Sequence, residues 1–477
     1  MSMKRLVVAA AAVLFLASSA KLQADASSNP KKKTAPVAKA GKSSSSAKAA
    51  APASARKSGP PISSAGRAAL SRYLSSSKNA PPGDDSAEIN ATPPATAAVE
   101  AVSSPPLYLV PLIPPPSPGE EGHEHRREPI RPNPPKDNGE PDLARQSSFG
   151  PIISAPSPTG VSFEGVGTGI AGFVPSSNPP DTNGRVGATQ YVQWNNTSFA
   201  VWDKSGSLLY GPAAGNTLFQ SLGGACATHN DGDPVVAYDI LAGRWVLSQF
   251  VVGASPNYSH QCVAVSKTQD ATGGYFLYDF VTDAVNFVDY PKIGVWPDGY
   301  YMSGHVFNAA GTAYVAGRIY VFERTQMLQG LTARMVSANM PNVGGQGQYG
   351  FLPADLDSLT PPPAGEAEFV MGPDNLSLAR IDSTRVAVTW GATPAIAPLS
   401  TTRITVTSAG NPPCLTGDAT NFPRSCVPQP GVTNLEYLDD LSFHFMYRLP
   451  YRNFGGAPVQ ESLVANIMGN GSGGTHS

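Results

Sequence analysis

Pro180-Asp181-Thr182-Asn183-Gly184, followed by Gln190-Tyr191-Val192-Gln193-Trp194, decides how the chain is read. A proline with an aspartate beside it comes first. Eleven residues after the proline an aromatic opens a run of β-branched and aromatic residues, the composition of a strand. The arrangement returns with Asp233-Pro234 before Trp245, with Asp289 and Pro291 before Tyr301, and with Pro353-Ala354-Asp355 before Phe369. The four prolines are 54, 57 and 62 residues apart. A degenerate fifth copy starts near Leu438-Asp439.

Such a period holds four short strands with their turns, which is one blade of a β-propeller. One four-stranded sheet cannot cover both of its faces, so successive blades must stack. The expected fold is all-β: a propeller of about five, and up to seven, four-stranded blades across residues 161–477, preceded by a disordered tail. A β-sandwich is the rival, but its turns recur without the longer period. Other runs support strands, including Arg244–Phe250, Arg318–Phe322 and Arg385–Trp390; only Thr325–Leu331 reads as helical.

Outward from the repeat, the composition changes. Of 40 aromatic residues, only Phe15, Tyr73, Tyr108 and Phe149 precede residue 161. Residues 27–80 carry eleven Lys and Arg and no acid, so the overall charge of −2 sums unlike parts. Residues 81–160 are proline-rich. With so little apolar surface, residues 27–160 should be a disordered tail and a stiff linker. The basic run lacks the interleaved aromatics of a nucleic-acid binder, which leaves an anionic surface polymer as its natural contact.

Met1–Ala26 has a secretory layout: Lys4 and Arg5, the apolar run Leu6–Leu16, then Ala24-Asp25-Ala26 as a cleavage pattern. Eleven residues of helix span about 16 Å, short of the roughly 30 Å of a bilayer core, and no later run is long enough to cross. An exported protein with four cysteines should form disulfides, and loop closure favours Cys226–Cys262 and Cys414–Cys426. The alternative is zinc, held by Cys226, His229, His260 and Cys262.

The same residues resemble a family of uncharacterised secreted bacterial proteins. The resemblance rests on Pro179-Pro180-Asp181-Thr182-Asn183-Gly184 to Tyr191-Val192-Gln193, and on Gly232-Asp233-Pro234-Val235-Val236 to Leu247-Ser248-Gln249. It continues through Tyr290-Pro291-Lys292 with Trp296-Pro297-Asp298, Leu352-Pro353-Ala354-Asp355-Leu356-Asp357, and Met446-Tyr447-Arg448-Leu449 with Tyr451-Arg452-Asn453-Phe454. It implies an exported, propeller-like protein and no particular reaction. Such proteins run on past Glu461-Ser462-Leu463-Val464 with further strands, so the end at Ser477 reads as a truncation or as a ring closing with fewer blades.

Repeated carboxylates are the candidate chemistry. Asp181, Asp233, Asp289 and Asp355 recur near one point of each unit, with Asp439 and Asp440 able to join them, and paired carboxylates serve glycoside hydrolysis. The plainer role for an Asp beside Pro or Gly is that of a turn former. Arg244, Arg448 and Arg452 have the planar fork that holds a carboxylate-bearing sugar, and His305 is a further ligand-binding candidate. No cofactor motif is present, although Asp231-Gly232-Asp233 is oxygen-rich enough for calcium. The leading expectation is binding of an envelope or extracellular glycan or protein. A propeller-type glycoside hydrolase or polysaccharide lyase and a non-enzymatic surface protein are the alternatives, and the residues leave catalysis open.

Overall fold

The computed structural model describes residues 97–115, 160–167, 170–173 and 180–405 apart from 312, 344–345, 375–379 and 398, then 425–427, 438–439, 444–466, 470–471 and 475–476. The export signal, the basic tail and much of the proline-rich stretch lie outside these residues, as do Cys414 and Asp440. The side chains of Cys426 and Asp439 also lie outside the description.

The fold is all-β. Four antiparallel sheets follow one another, each a meander of four strands in chain order. The first sheet is Asn183–Val186, Gln190–Asn195, Ser198–Asp203 and Leu208–Ala214. The second is Val235–Asp239, Arg244–Val252, Ser259–Ser266 and Tyr275–Asp283, and the third Phe287–Trp296, Gly299–Phe307, Tyr314–Phe322 and Ala333–Asn339. The fourth is Leu352–Leu356, Glu368–Pro373, Arg380–Val386 and Ser400–Thr405; its first strand also pairs, in parallel, with Leu449–Gly455. Each repeat unit of the sequence is therefore one sheet.

Strand alternation explains why the sheets stack. Val236 and Tyr238 face the first sheet and pack with Val192, Trp194 and Phe199. Val235 and Ala237, one residue out of phase, face the third sheet and pack with Val288, Ile293 and Tyr300. A third apolar layer joins Tyr301 and Ile319 to Leu352, Val370 and Ile381. Both faces of the inner sheets are buried, so their first strands read as apolar runs rather than as a half-polar alternation. The first strands lie side by side. The Asn183 side chain accepts from the Val236 N–H at 3.0 Å, and Asp355 accepts from the Val295 N–H at 3.2 Å.

The repeat has a backbone signature that proline spacing does not show. Asp181, Asp233 and Tyr290 have φ of 40°, 46° and 54°; the two aspartates stand just before a first strand and Tyr290 within the first pleats of one, beside its bulge. Thr182, rather than Pro180, therefore matches Pro234 and Pro291. Asp tolerates the left-handed region, whereas a tyrosine there is strained. A bulge between Asp289 and Lys292 accompanies the strained residue and re-aims the side chains around it.

Residues 97–113, which composition assigns to the proline-rich linker, are built into the fold. Ala97–Val99 adds to the outer edge of the third sheet and Val102–Ser103 to that of the second. Leu107 is buried in the layer between the first two sheets, and the Ile113 carbonyl accepts from the Ala214 N–H. The segment needs little apolar surface of its own because it borrows open sheet edges, which it also protects. The helix expected at Thr325–Leu331 is shorter and earlier, at Arg324–Met327.

Cys226 and Cys262 form a disulfide, which replaces the zinc alternative. His260 turns instead to Asp279, with Nδ1 at 2.6 Å from Oδ1. The bond closes a separation of 36 residues and both sulfurs are buried. Replacing both cysteines with serine is expected to cost roughly 3–4 kcal/mol in urea unfolding, from the added freedom of the unfolded chain.

Candidate functional site

The first strands have two ends, and each gathers charge. At the end where they begin, three successive sheets contribute Asp181, Asp233 and Asp289. Asp233 and Asp289 are 5% and 8% exposed. The Asp181 carboxyl is raised from its ordinary value to about 7, first by burial and then by the charge of Asp233, with Lys292 acting in the opposite direction and Asp289 adding to the rise. Asp181 and Asp233 also share a hydrogen bond. Two carboxylates can do so only if one keeps its proton. The Asn196 amide donates to Asp181 Oδ2 at 3.4 Å.

An aromatic floor lies against these acids. Burial, followed by the charges of Asp181, Asp233 and Asp289, pushes the Tyr290 hydroxyl above its usual range. Lys292 Nζ sits 4.0 Å from the centroid of the Tyr290 ring. His305 is stacked between Tyr290 and Tyr349, at 5.2 and 3.9 Å between centroids, and His444 stands 4.6 Å from Tyr290. The Gly350 N–H donates to His305 Nε2 at 3.1 Å, which fixes that nitrogen as an acceptor. Burial, then the charges of His444 and Lys292, holds His305 well below the ordinary histidine value. It is a neutral ring, only 1% exposed, that supports Tyr290 and does not itself line a surface.

The fourth repeated carboxylate is elsewhere. Asp355 bonds the N–H of Val295, three residues beyond Lys292 and so about 10 Å further along the strand. Its neighbours are Arg448 at 3.0 Å and Arg185 at 3.5 Å. Burial raises its carboxyl to about 6 against the lowering effect of Arg185. Asp357, beside it, accepts from Arg185, Arg448 and Arg452. Arg448 and Arg452, expected to await a ligand, are thus committed to carboxylates of the protein. The cluster ties the first sheet to the fourth and to the strand Leu449–Gly455.

Arg244 is also occupied, its Nη1 donating to the carbonyls of Ala242 and Gly243. Asp231 accepts from the Val252 N–H at 2.9 Å and lies 3.3 Å from His229 Nδ1. Among the described residues no group of three or more His, Cys, Asp or Glu is gathered to hold a metal ion. Asp439 lies in the short strand Leu438–Asp439 paired with Ser425–Val427.

Tyr290, Lys292 and Tyr349 were missed from the candidate residues. The signal available was the break in the repeat at Asp289-Tyr290-Pro291, where tyrosine takes the place that aspartate holds in the two preceding units. Glu368 was missed as well. It is fully buried, and burial followed by the charge of Asp298 holds its carboxyl well above the usual range. A folded state that binds a proton more tightly than the unfolded chain loses stability as pH rises from the unfolded value toward the folded one. Glu368→Gln should remove that slope, leaving stability near wild type at pH 5 and above wild type at pH 9 in chemical unfolding.

No family model and no curated protein matches the chain. Among solved structures, an α-L-arabinanase of Cellvibrio cellulosa, complexed with arabinohexaose, is similar over 47% of this chain and 70% of its own, at 12% identity and a TM-score of 0.23. A GH43 endo-arabinanase from Bacillus licheniformis is similar over 46% of this chain and 92% of its own, at 12% identity and a TM-score of 0.19. Both likenesses are too slight to bear on activity.

Proposed function

We propose that the chain is an exported protein whose sheets are blades of a β-propeller, and that it binds a glycan where the first strands begin. The observation that carries this reading is the meeting of Asp181, Asp233 and Asp289 from three successive sheets, with Asp181 protonated up to about pH 7. A carboxylic acid beside a carboxylate offers a donor and an acceptor side by side. Adjacent sugar hydroxyls need that pairing, since each both donates and accepts. Lys292 and Tyr290 add a cation and an aromatic edge. The buried disulfide favours an oxidising compartment, and among the described residues no helix is long and apolar enough to cross a membrane.

Glycoside hydrolysis is the second reading, favoured by the same raised carboxyl, because a general acid must hold its proton near the working pH. Its partner would stand roughly 5–9.5 Å away. Asp233 is hydrogen-bonded to Asp181 and so too close, which makes Asp289 the candidate partner. Calorimetric titration with a panel of neutral and acidic oligosaccharides at pH 5.5 and 8.5 tests the binding reading. Binding at pH 5.5 that weakens at pH 8.5 is expected; no binding at either pH overturns it. Release of reducing ends from the bound sugar selects the second reading.

A further inference from the structure

We infer a second glycan site at the opposite ends of the first strands, independent of the three carboxylates. An open cavity of about 740 Å³ lies between the turn after Val186 and the turn after Asp239, with Arg185, Tyr191, Tyr238, Gln269, Asp357 and Leu359 on its walls. A second cavity of about 480 Å³ adjoins it, sharing Val186 and Tyr191 and bringing in Phe163, Gln193 and Lys204. Each has the size of a small-ligand pocket. Two in series form a groove, which suits a chain rather than a compact molecule.

Glycines keep the floor of the larger cavity low. A Cβ added at Gly187 would lie 2.5 Å from the Trp245 ring, one at Gly184 2.6 Å from the Tyr191 hydroxyl, and one at Gly243 2.7 Å from Gln269 Nε2. The absent side chains let the Trp245 and Tyr191 rings and the Gln269 amide pack directly on the backbone beneath the cavity. Aromatic side chains contribute to the walls: Phe163 and Tyr191 stand 6.0 Å apart between centroids and are backed by the buried Trp202, while Tyr238 packs on the buried Trp245 at 4.9 Å.

Charge selects the class of ligand. Arg185 and Asp357 are paired at 3.3 Å, and Asp203 is capped by Ser205 and Ser207. The charges of the larger cavity are met within the protein, so neither an anion nor a cation is called for there. An ion pair beside an amide and tyrosine faces matches a neutral sugar chain, whose hydroxyls bridge donor and acceptor while its C–H faces lie on the rings. A mainly apolar peptide would leave the groove's polar groups unmatched.

Methyl NMR of the full chain reads this site directly, through Val186, Leu241 and Leu359. The probes are linear neutral hexasaccharides: cellohexaose, xylohexaose and mannohexaose. One of them is expected to shift these methyls saturably, equally in wild type and in Asp181→Asn. Ala188→Trp, which fills the cavity from its exposed turn, should weaken the response at least tenfold, and Gln269→Ala about threefold. The inference is overturned if none of the three sugars moves these methyls, if Ala188→Trp responds as wild type, or if Asp181→Asn abolishes the response. A failure here leaves the carboxylate site untouched, because Asp181→Asn is read separately.

Discussion

Asp239→Ala is expected to destabilise the protein by about 3–5 kcal/mol, the cost of leaving a buried charge without its partner. Asp239 is fully buried at the end of the first strand of the second sheet. Its Oδ2 accepts from Arg324 Nε at 2.6 Å and from the Tyr300 hydroxyl at 3.0 Å, and its Oδ1 from Arg324 Nη2 and the Ala242 N–H, each at 3.0 Å. Removing the carboxylate strands a guanidinium, a phenol and a turn N–H together. Tyr300 opens a strand of the third sheet and Arg324 follows that sheet's next strand, so the network fastens two sheets that otherwise meet through apolar side chains. Arg324→Met added to Asp239→Ala should recover a substantial part of the loss, because the uncompensated charge is then gone. Urea unfolding of the two single variants and the double variant gives the coupling. Purely additive losses would mean that the pair does not act as one unit.

Asp181→Asn separates the two readings of the carboxylate site. Asparagine keeps a hydrogen-bond donor and is neutral at every pH. If the site binds sugar through a protonated Asp181, wild-type affinity falls as pH rises through about 7, because three ionised carboxylates then face one another, while the variant's affinity stays flat. If Asp181 is the proton donor of a hydrolase, the variant loses about 10²–10⁴-fold in kcat, since an amide has no proton to give. Calorimetry and turnover on the same sugar distinguish these outcomes. A variant whose pH profile and turnover both match wild type would remove Asp181 from the site.

The strands and their period were legible because both depend on local pattern. Val192–Asn195 alternates in burial as its sequence alternates, and one sheet corresponds to one repeat. The meeting of Asp181 and Asp233 follows from the same pattern, because equivalent positions in stacked units return to one level; Asp289 joins them from one residue earlier in its unit, where Tyr290 holds the equivalent place. Asp355 broke the expectation because its Pro-Ala-Asp order carries the carboxylate further down the strand. The arginines misled because sequence cannot show that Asp357 gathers Arg185, Arg448 and Arg452. Residues 97–113 were hidden because edge pairing uses backbone groups, which every residue has.

Carboxyl ¹³C NMR titration of aspartate-labelled protein, comparing wild type with Asp181→Asn, tests the central claim most directly. The resonance missing from the variant should titrate with a midpoint of about 7 in wild type and move when a saturating oligosaccharide is added. A midpoint near 4, unmoved by any sugar that binds, would contradict the account.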